Sequence, residues 1–132
     1  MATTLSAPVR EFLEKPNFAV LVTRSRANRI QATPVWFVLS DGRVLVNTSK
    51  GRTKLRNMQQ NPDVVLAIVD KDNPYHYVQI HGKAAVFDAE NGARDINRLS
   101  QRYTGKPYGY PGGDRPENRV SIYIEPERVT GM

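Results

Sequence analysis

Asp41-Gly42 stands between two runs of β-prone residues, "IQATPVWFVLS" (30–40) and "RVLVNTS" (43–49). An Asp-Gly pair readily takes the two left-handed conformations of a two-residue hairpin turn, so it commits its flanks to antiparallel pairing. Other apolar runs extend the same sheet. "NFAVLVTRS" (17–25) reads as a strand stopped by the polar turn "RAN". "VVLAIVD" (64–70) is continuous enough to be buried on both faces. "YHYVQIHGKAAVFD" (75–88) is a long strand bent at Gly82, and "RVSIYIEPERVTG" (119–131) is a last strand broken at Pro126.

Three segments have helical spacing instead. In "LSAPVREFLE" (5–14), Ser6 is a cap, Pro8 suits the first turn, and Val9, Phe12 and Leu13 form one apolar face. Residues 51–60 place Leu55 and Met58 together before the stop "NPD", and a third helix begins near Ala93 with Ile96 and Leu99 inward. The stretch "TGKPYGYPGGDRPEN" (104–118) holds four glycines and three prolines, too many for a regular element. Six strands with helices beside them predict one mainly β domain over 1–132, a small six-stranded barrel with peripheral helices.

No apolar run approaches the roughly 20 residues that span a bilayer. The amino-terminal "MATTLSAPVREFLEKP" lacks the apolar core of a signal peptide. The absence of cysteine agrees with a reducing compartment, and two histidines, His76 and His81, cannot supply a metal cage. A cytoplasmic protein without a structural metal is expected.

The net charge of +6 is concentrated in one segment. From Arg24 to Arg56 there are eight cations and one acid, Asp41, a local +7, whereas the rest of the chain sums to −1. An anionic partner is implied: nucleic acid, an anionic membrane or an anionic small molecule. The densest part, "NTSKGRTKLRN" (47–57), runs from the end of a strand into the start of a helix. Unpaired N–H groups at a helix amino terminus favour phosphate, and Gly51 lets backbone approach an anion. Arg52 and Lys54, expected in the first turn, offer a guanidinium fork and an ammonium, and Arg56 continues their face. A purely structural helix would prefer acids there. Neither a Walker loop nor a GxGxxG fingerprint is present. Pro34, inside a strand, marks an edge or a bulge against which a flat heteroaromatic ring can lie, with Trp36 either walling that slot or filling the core.

The run from "VWFVLSDG" through "SKGRTKLRNMQQNP", with "VQIHGKAAV", "RYTGKPYGYP" and the terminal "IEPERVTGM", resembles the split β-barrel flavin and deazaflavin oxidoreductases related to pyridoxamine 5′-phosphate oxidase. It is most similar to their actinobacterial, F420-dependent branch, over roughly residues 8–132. The resemblance implies an FMN-binding type of split barrel, homodimeric, with cofactor at the subunit interface. By motif match, Arg52 and Lys54 would hold its phosphate, with Asn47, Thr48, Ser49 and Asn57 nearby. The ring would lie along Thr33, Pro34, Val35 and Trp36, and the other subunit would supply Tyr75, Tyr77 and Gln79. F420, with a phosphodiester and several carboxylates, suits a +7 segment better than FMN with its single phosphate; FMN is the alternative.

The activity implied is hydride transfer between reduced deazaflavin and an unsaturated small-molecule acceptor. No catalytic set is evident; Tyr77 and His81, on one face of their strand with Gln79 and Lys83, are the candidate proton donors. The loop "GKPYGYPGGD" is a candidate lid carrying Tyr108 and Tyr110. Two other classes of function remain open: a non-catalytic F420 carrier, and a barrel binding single-stranded nucleic acid on Tyr75 and Tyr77.

Overall fold

The computed structural model describes residues 3–131; Met1, Ala2 and Met132, the last residue of the terminal motif, lie outside them. Its elements in order are α1 (Ala7–Glu14), β1 (Phe18–Arg24), β2 (Ile30–Val35), β3 (Val38–Ser40), β4 (Arg43–Ser49), α2 (Thr53–Gln60), β5 (Asp63–Val69), β6 (Tyr77–Asp88), α3 (Gly92–Thr104) and β7 (Arg119–Gly131). Two short 3₁₀ turns, Pro111–Gly113 and Pro116–Asn118, lie in the segment before β7.

The sheet has seven strands rather than six, in the order β2-β1-β5-β6-β7-β4-β3, with all pairs antiparallel. The extra strand arises because 30–40 is broken at Trp36-Phe37, and its halves pair at opposite edges of the sheet. Laid flat, seven strands at about 4.8 Å spacing would hold those edges about 29 Å apart. Three residues of extended chain, Val35 to Val38, reach at most about 11 Å. The sheet is therefore curled, with its two edges meeting at this seam. Pro34 fits the edge strand, where a missing N–H costs no ladder bond.

The Asp41-Gly42 turn forms as expected, with φ of 51° and 77°. Pro126 does not break β7: it lies opposite Gly82, where the β6–β7 register shifts, and the bulge absorbs the missing donor. The strand 75–88 begins only at Tyr77, because Asn73 and Tyr75 belong to a turn closed by Asp70 and His76. β5 alternates, with Val64, Leu66 and Ile68 inside and Val65, Ala67 and Val69 half-buried, so it is not covered on both faces within the protomer.

The barrel interior packs Leu21, Phe37, Val44, Val46, Leu66, Ile80, Ile122 and Ile124, closed by Phe12 and Leu13 of α1 and by Leu55 and Met58 of α2. α3 lies on the outside, against β4 and β7. Gly92, at its start, is required by close approach: an added Cβ would stand 1.9 Å from the Arg119 carbonyl oxygen. Arg102 of α3 locks the seam. Its guanidinium donates to the carbonyls of Leu13 (3.0 Å), Glu14 (2.8 Å) and Lys15 (2.6 Å), ending α1, and to that of Phe37 (2.9 Å).

Candidate functional site

A cleft of about 440 Å³ opens beside the seam, where β1, β2, β4, α2, α3 and the segment before β7 meet. One half is apolar and aromatic: Phe18 and Ala19 of β1, Pro34 and Val35 of β2, Trp36, and Ile96, Leu99 and Tyr103 of α3. Trp36 neither fills the core nor stands free. It stacks on Tyr103 with ring centroids 5.5 Å apart, and Tyr108 meets it edge-on at 6.4 Å. Tyr108 and Pro111 bring the strap, residues 106–118, onto this half, so the loop expected as a lid does line the cleft. Tyr110 packs edge-on against Tyr108 at 4.8 Å.

The other half is polar and cationic, lined by Asn47, Thr48, Arg52, Lys54 and Arg119. Arg52 is the N-cap of α2 rather than a first-turn residue, and no side chain caps that terminus. Its amino-terminal N–H groups therefore face the same region as the cations. Lys54 is only 8% exposed. Burial, then the charges of Arg52 and Arg119, lower its pKa from the 10.5 of an ordinary lysine. Of the three cations crowded here, Arg119 is paired with Asp114, while no ion pair joins Arg52 or Lys54 to an acid among the described residues.

Arg119 has no counterpart in the sequence expectations. It opens β7 directly opposite Ser49 and is 8% exposed. Its Nε donates to Asn47 Oδ1 (2.9 Å), and its Nη1 donates to Ser49 Oγ (2.9 Å) and Asp114 Oδ2 (2.9 Å). Its guanidinium lies 5.2 Å from the ring centroid of Tyr108. Burial works against the Asp114 carboxylate, but hydrogen bonds from the Arg115 N–H, Ser49 and Arg119 hold its pKa below the usual value. The only signal for Arg119 in the sequence is a cation at the first position of a strand after a Gly/Pro-rich loop.

The other expected site residues take different places. Ser49 backs the cleft through Arg119 and Asp114 (3.0 Å) rather than lining it. Asn57 is buried behind it and donates to Thr23 Oγ1 (3.1 Å). Thr33 sits one residue before the cleft with its Oγ1 buried and unpartnered. Tyr75, Tyr77, Gln79 and His81 do not line this chain's own cleft. Gln79 and His81 meet each other at 2.6 Å, and Arg128 approaches the His81 ring at 3.3 Å. Their strand β6 continues the outer surface that carries Phe18: the pairings Phe18–Val69 and Val69–Tyr77 put these residues in one row. Among the described residues no group of His, Asp or Glu side chains is arranged to hold a metal ion, and no helix is long and apolar enough to cross a membrane.

The strand order makes a curled antiparallel barrel with an edge at β2 and a cationic end to the cleft beside it, and the comparisons place that fold in a family. The family model for pyridoxamine 5′-phosphate oxidase matches residues 5–132, and the chain belongs to that family. It is similar in structure to an F420 reductase, at 25% identity and a TM-score of 0.84, over 96% of this chain and 98% of that one. A Listeria innocua protein provisionally assigned as a pyridoxamine 5′-phosphate oxidase superposes at a TM-score of 0.71, with 24% identity and 95% of each chain covered. The conserved hypothetical protein Rv2991 of Mycobacterium tuberculosis gives 0.71 at 22% identity, over 97% of this chain and 84% of that one. No curated protein matches.

Proposed function

We propose that this protein is an F420-dependent oxidoreductase that passes a hydride between the deazaflavin and an unsaturated small molecule. The observation that carries the reading is the two-part cleft, with Arg52, Lys54 and Arg119 at one end and an aromatic slot at the other. A planar ring bearing a phosphate satisfies both ends of it at once. Likeness to an F420 reductase over nearly the full length of both chains supports the deazaflavin. When bound, F420 would supply two electrons as hydride at a ring carbon.

The chain's own contribution is binding, orientation and exclusion of water. Arg52 and Lys54 take the phosphate, aided by α2 N–H groups and the Thr48 hydroxyl. Pro34, Val35 and Trp36 offer an edge-strand backbone and an indole to hold the ring, and Tyr108 and Pro111 shield it. FMN, with the same ring shape and a single phosphate, is the second reading; the family supports it and the local +7 charge disfavours it.

The assembly belongs to the same proposal. The outer face of β2, β1, β5 and β6 shows Phe18 (67% exposed) and Ile30 (73%) to solvent, with Val20, Val22, Val65 and Val69 half-buried beside them. Phe18 belongs both to this face and to the cleft, so a second copy seated here would bring its β6 to the cleft mouth. Tyr75, Tyr77 and Gln79 of the partner subunit then complete the site, and His81 or Tyr77 is the candidate proton donor to the acceptor.

Titration of the purified protein with F420 and, separately, FMN, following ligand fluorescence, tests the reading. Tight F420 binding with weak FMN binding, followed by turnover of an enone or similar acceptor, is expected. Tight FMN binding would replace the cofactor and keep the site; F420 binding without turnover would make the protein a carrier. Binding to neither, with single-stranded DNA affinity falling steeply with salt, would make the basic strip a nucleic-acid surface.

A further inference from the structure

A buried polar chain runs from α3 to the strap, and one group in it is left over. Asp95, fully buried, accepts from Ser121 Oγ (2.6 Å). Asn47 Nδ2 donates to that same Ser121 Oγ (3.2 Å) and to the Gly92 carbonyl (2.9 Å), and Asn47 Oδ1 accepts from Arg119 Nε. Nη1 of Arg119 is taken by Ser49 and Asp114. Among the described residues Nη2 has no hydrogen-bond partner, although Arg119 is 92% buried and lines the cleft. Nη2 itself is not shut off from solvent, so it is the end of the guanidinium that stays accessible, on a residue that lines the cleft. Asp114 meets the guanidinium through Nη1 alone: its Oδ2 accepts from Nη1, and its Oδ1 is taken by Ser49 Oγ and the Arg115 N–H.

We propose that Arg119 joins anion recognition to closure of the strap: Nη2 takes an oxygen of the ligand's phosphate, while Nη1, held by Asp114, fixes residues 106–118 over the aromatic half of the cleft. The inference rests on the reading above that the cleft takes a phosphate-bearing flavin or deazaflavin. One guanidinium can do both because its nitrogens lie in a rigid plane; a ligand oxygen on Nη2 stiffens Nη1 and Nε on their partners. Tyr108 moves with it, since its ring lies against the same guanidinium. The bonds that seat the strap are already in place, and a ligand that carries the anion reinforces them, whereas a ring compound without phosphate gains the slot but not the added hold on the cover.

The test uses ligand pairs that share a ring and differ in the phosphate: FMN with riboflavin, and F420 with its dephosphorylated chromophore. Affinities are read by ligand fluorescence, and amide hydrogen exchange across 106–118 is followed with and without ligand. In the parent protein the phosphate-bearing member is preferred and slows exchange in the strap. Arg119→Gln is expected to lower that preference by at least about tenfold, the loss of one charged hydrogen bond. Asp114→Ala, which leaves Nη2 in place, is expected to keep the preference and lose the protection. Should Arg119→Gln not fold, the Asp114→Ala separation decides alone. An unchanged preference in Arg119→Gln, or protection that survives in Asp114→Ala, overturns the inference while leaving the cleft's assignment intact. If the parent binds none of the four compounds, the assignment itself falls, and this inference with it.

Discussion

The outer surface of this sheet has two unlike halves. Over β4 and β7 it is roofed by α3 and the strap, closely enough that Gly92 sits against backbone, and Asn47, Asp95 and Ser121 bond beneath that roof. Over β2, β1, β5 and β6 it is bare, and its exposed positions are largely apolar. The cleft lies where the two halves meet, drawing cations from the roofed side and Phe18 from the bare one. The contrast teaches that the anion end of the cleft is built wholly within the protomer, while its apolar end borders a bare face, the one on which the proposed second copy would sit.

The sharpest way to break this comparison is to add one carbon to the roofed half. Gly92→Ala places a Cβ 1.9 Å from the Arg119 carbonyl oxygen, and α3 has to lift. A loss of about 3 kcal/mol or more is expected from the urea midpoint; an unshifted midpoint would mean the roof is loose. Next comes the anion end. Lys54→Met is expected to weaken F420 or FMN binding by about 1.5–3 kcal/mol, with Arg52→Ala in the same range. Removing a buried charge repelled by Arg52 and Arg119 should meanwhile leave the Lys54→Met protein at least as stable as the parent in the same urea titration. Parent-like binding by both variants would remove the basic turn from the site.

The pH dependence separates the same two quantities. Folding lowers the pKa of Lys54 below 10.5, so within that window the unfolded chain holds a proton that the folded one has lost. Raising the pH through the window therefore favours folding, as far as Lys54 contributes, and weakens anion binding. Affinity for the phosphate-bearing ligand that stayed flat up to pH 10.5 would contradict the role given to Lys54. Smaller still is Asn57→Ala, which removes the bond to Thr23 and should cost about 1 kcal/mol of stability with ligand affinity little changed. The smallest effect on folding, within about 0.5 kcal/mol, is expected for Val65→Lys on the bare half. Its consequence lies elsewhere: light scattering should show a dimeric parent and a monomeric variant, and a monomeric parent would end the shared-site picture.

Strands, the Asp41-Gly42 hairpin and the cationic turn were legible because each is announced by its own neighbours. The seam was not. Residues 30–40 contain no turn signal at 36 and 37, and only the closing of the barrel decides that the run must part there. Arg119 was hidden for a similar reason. It joins Asn47 and Ser49 through the β4–β7 register, across some 70 residues of sequence, and strand register is not written in any local pattern. Asn57, expected near the phosphate by motif match, is seen buried behind the cleft with its amide bonded to Thr23 of β1, a partner 34 residues away that no local pattern announces.

The grip of Arg102 on Leu13, Glu14, Lys15 and Phe37 also sets an order of events. On a ribosome, the first hairpins emerge long before the side chain that fastens them, so the nascent chain can pair β1 with β2 and β3 with β4 but cannot bolt the edges together. Pulsed hydrogen exchange during refolding should find the Phe37 amide protected after those of β5 and β6, and earlier protection would show that the seam closes without its clasp. The doorway to the cleft is thus the last part of the barrel to be finished, and it stays ajar until the third helix arrives.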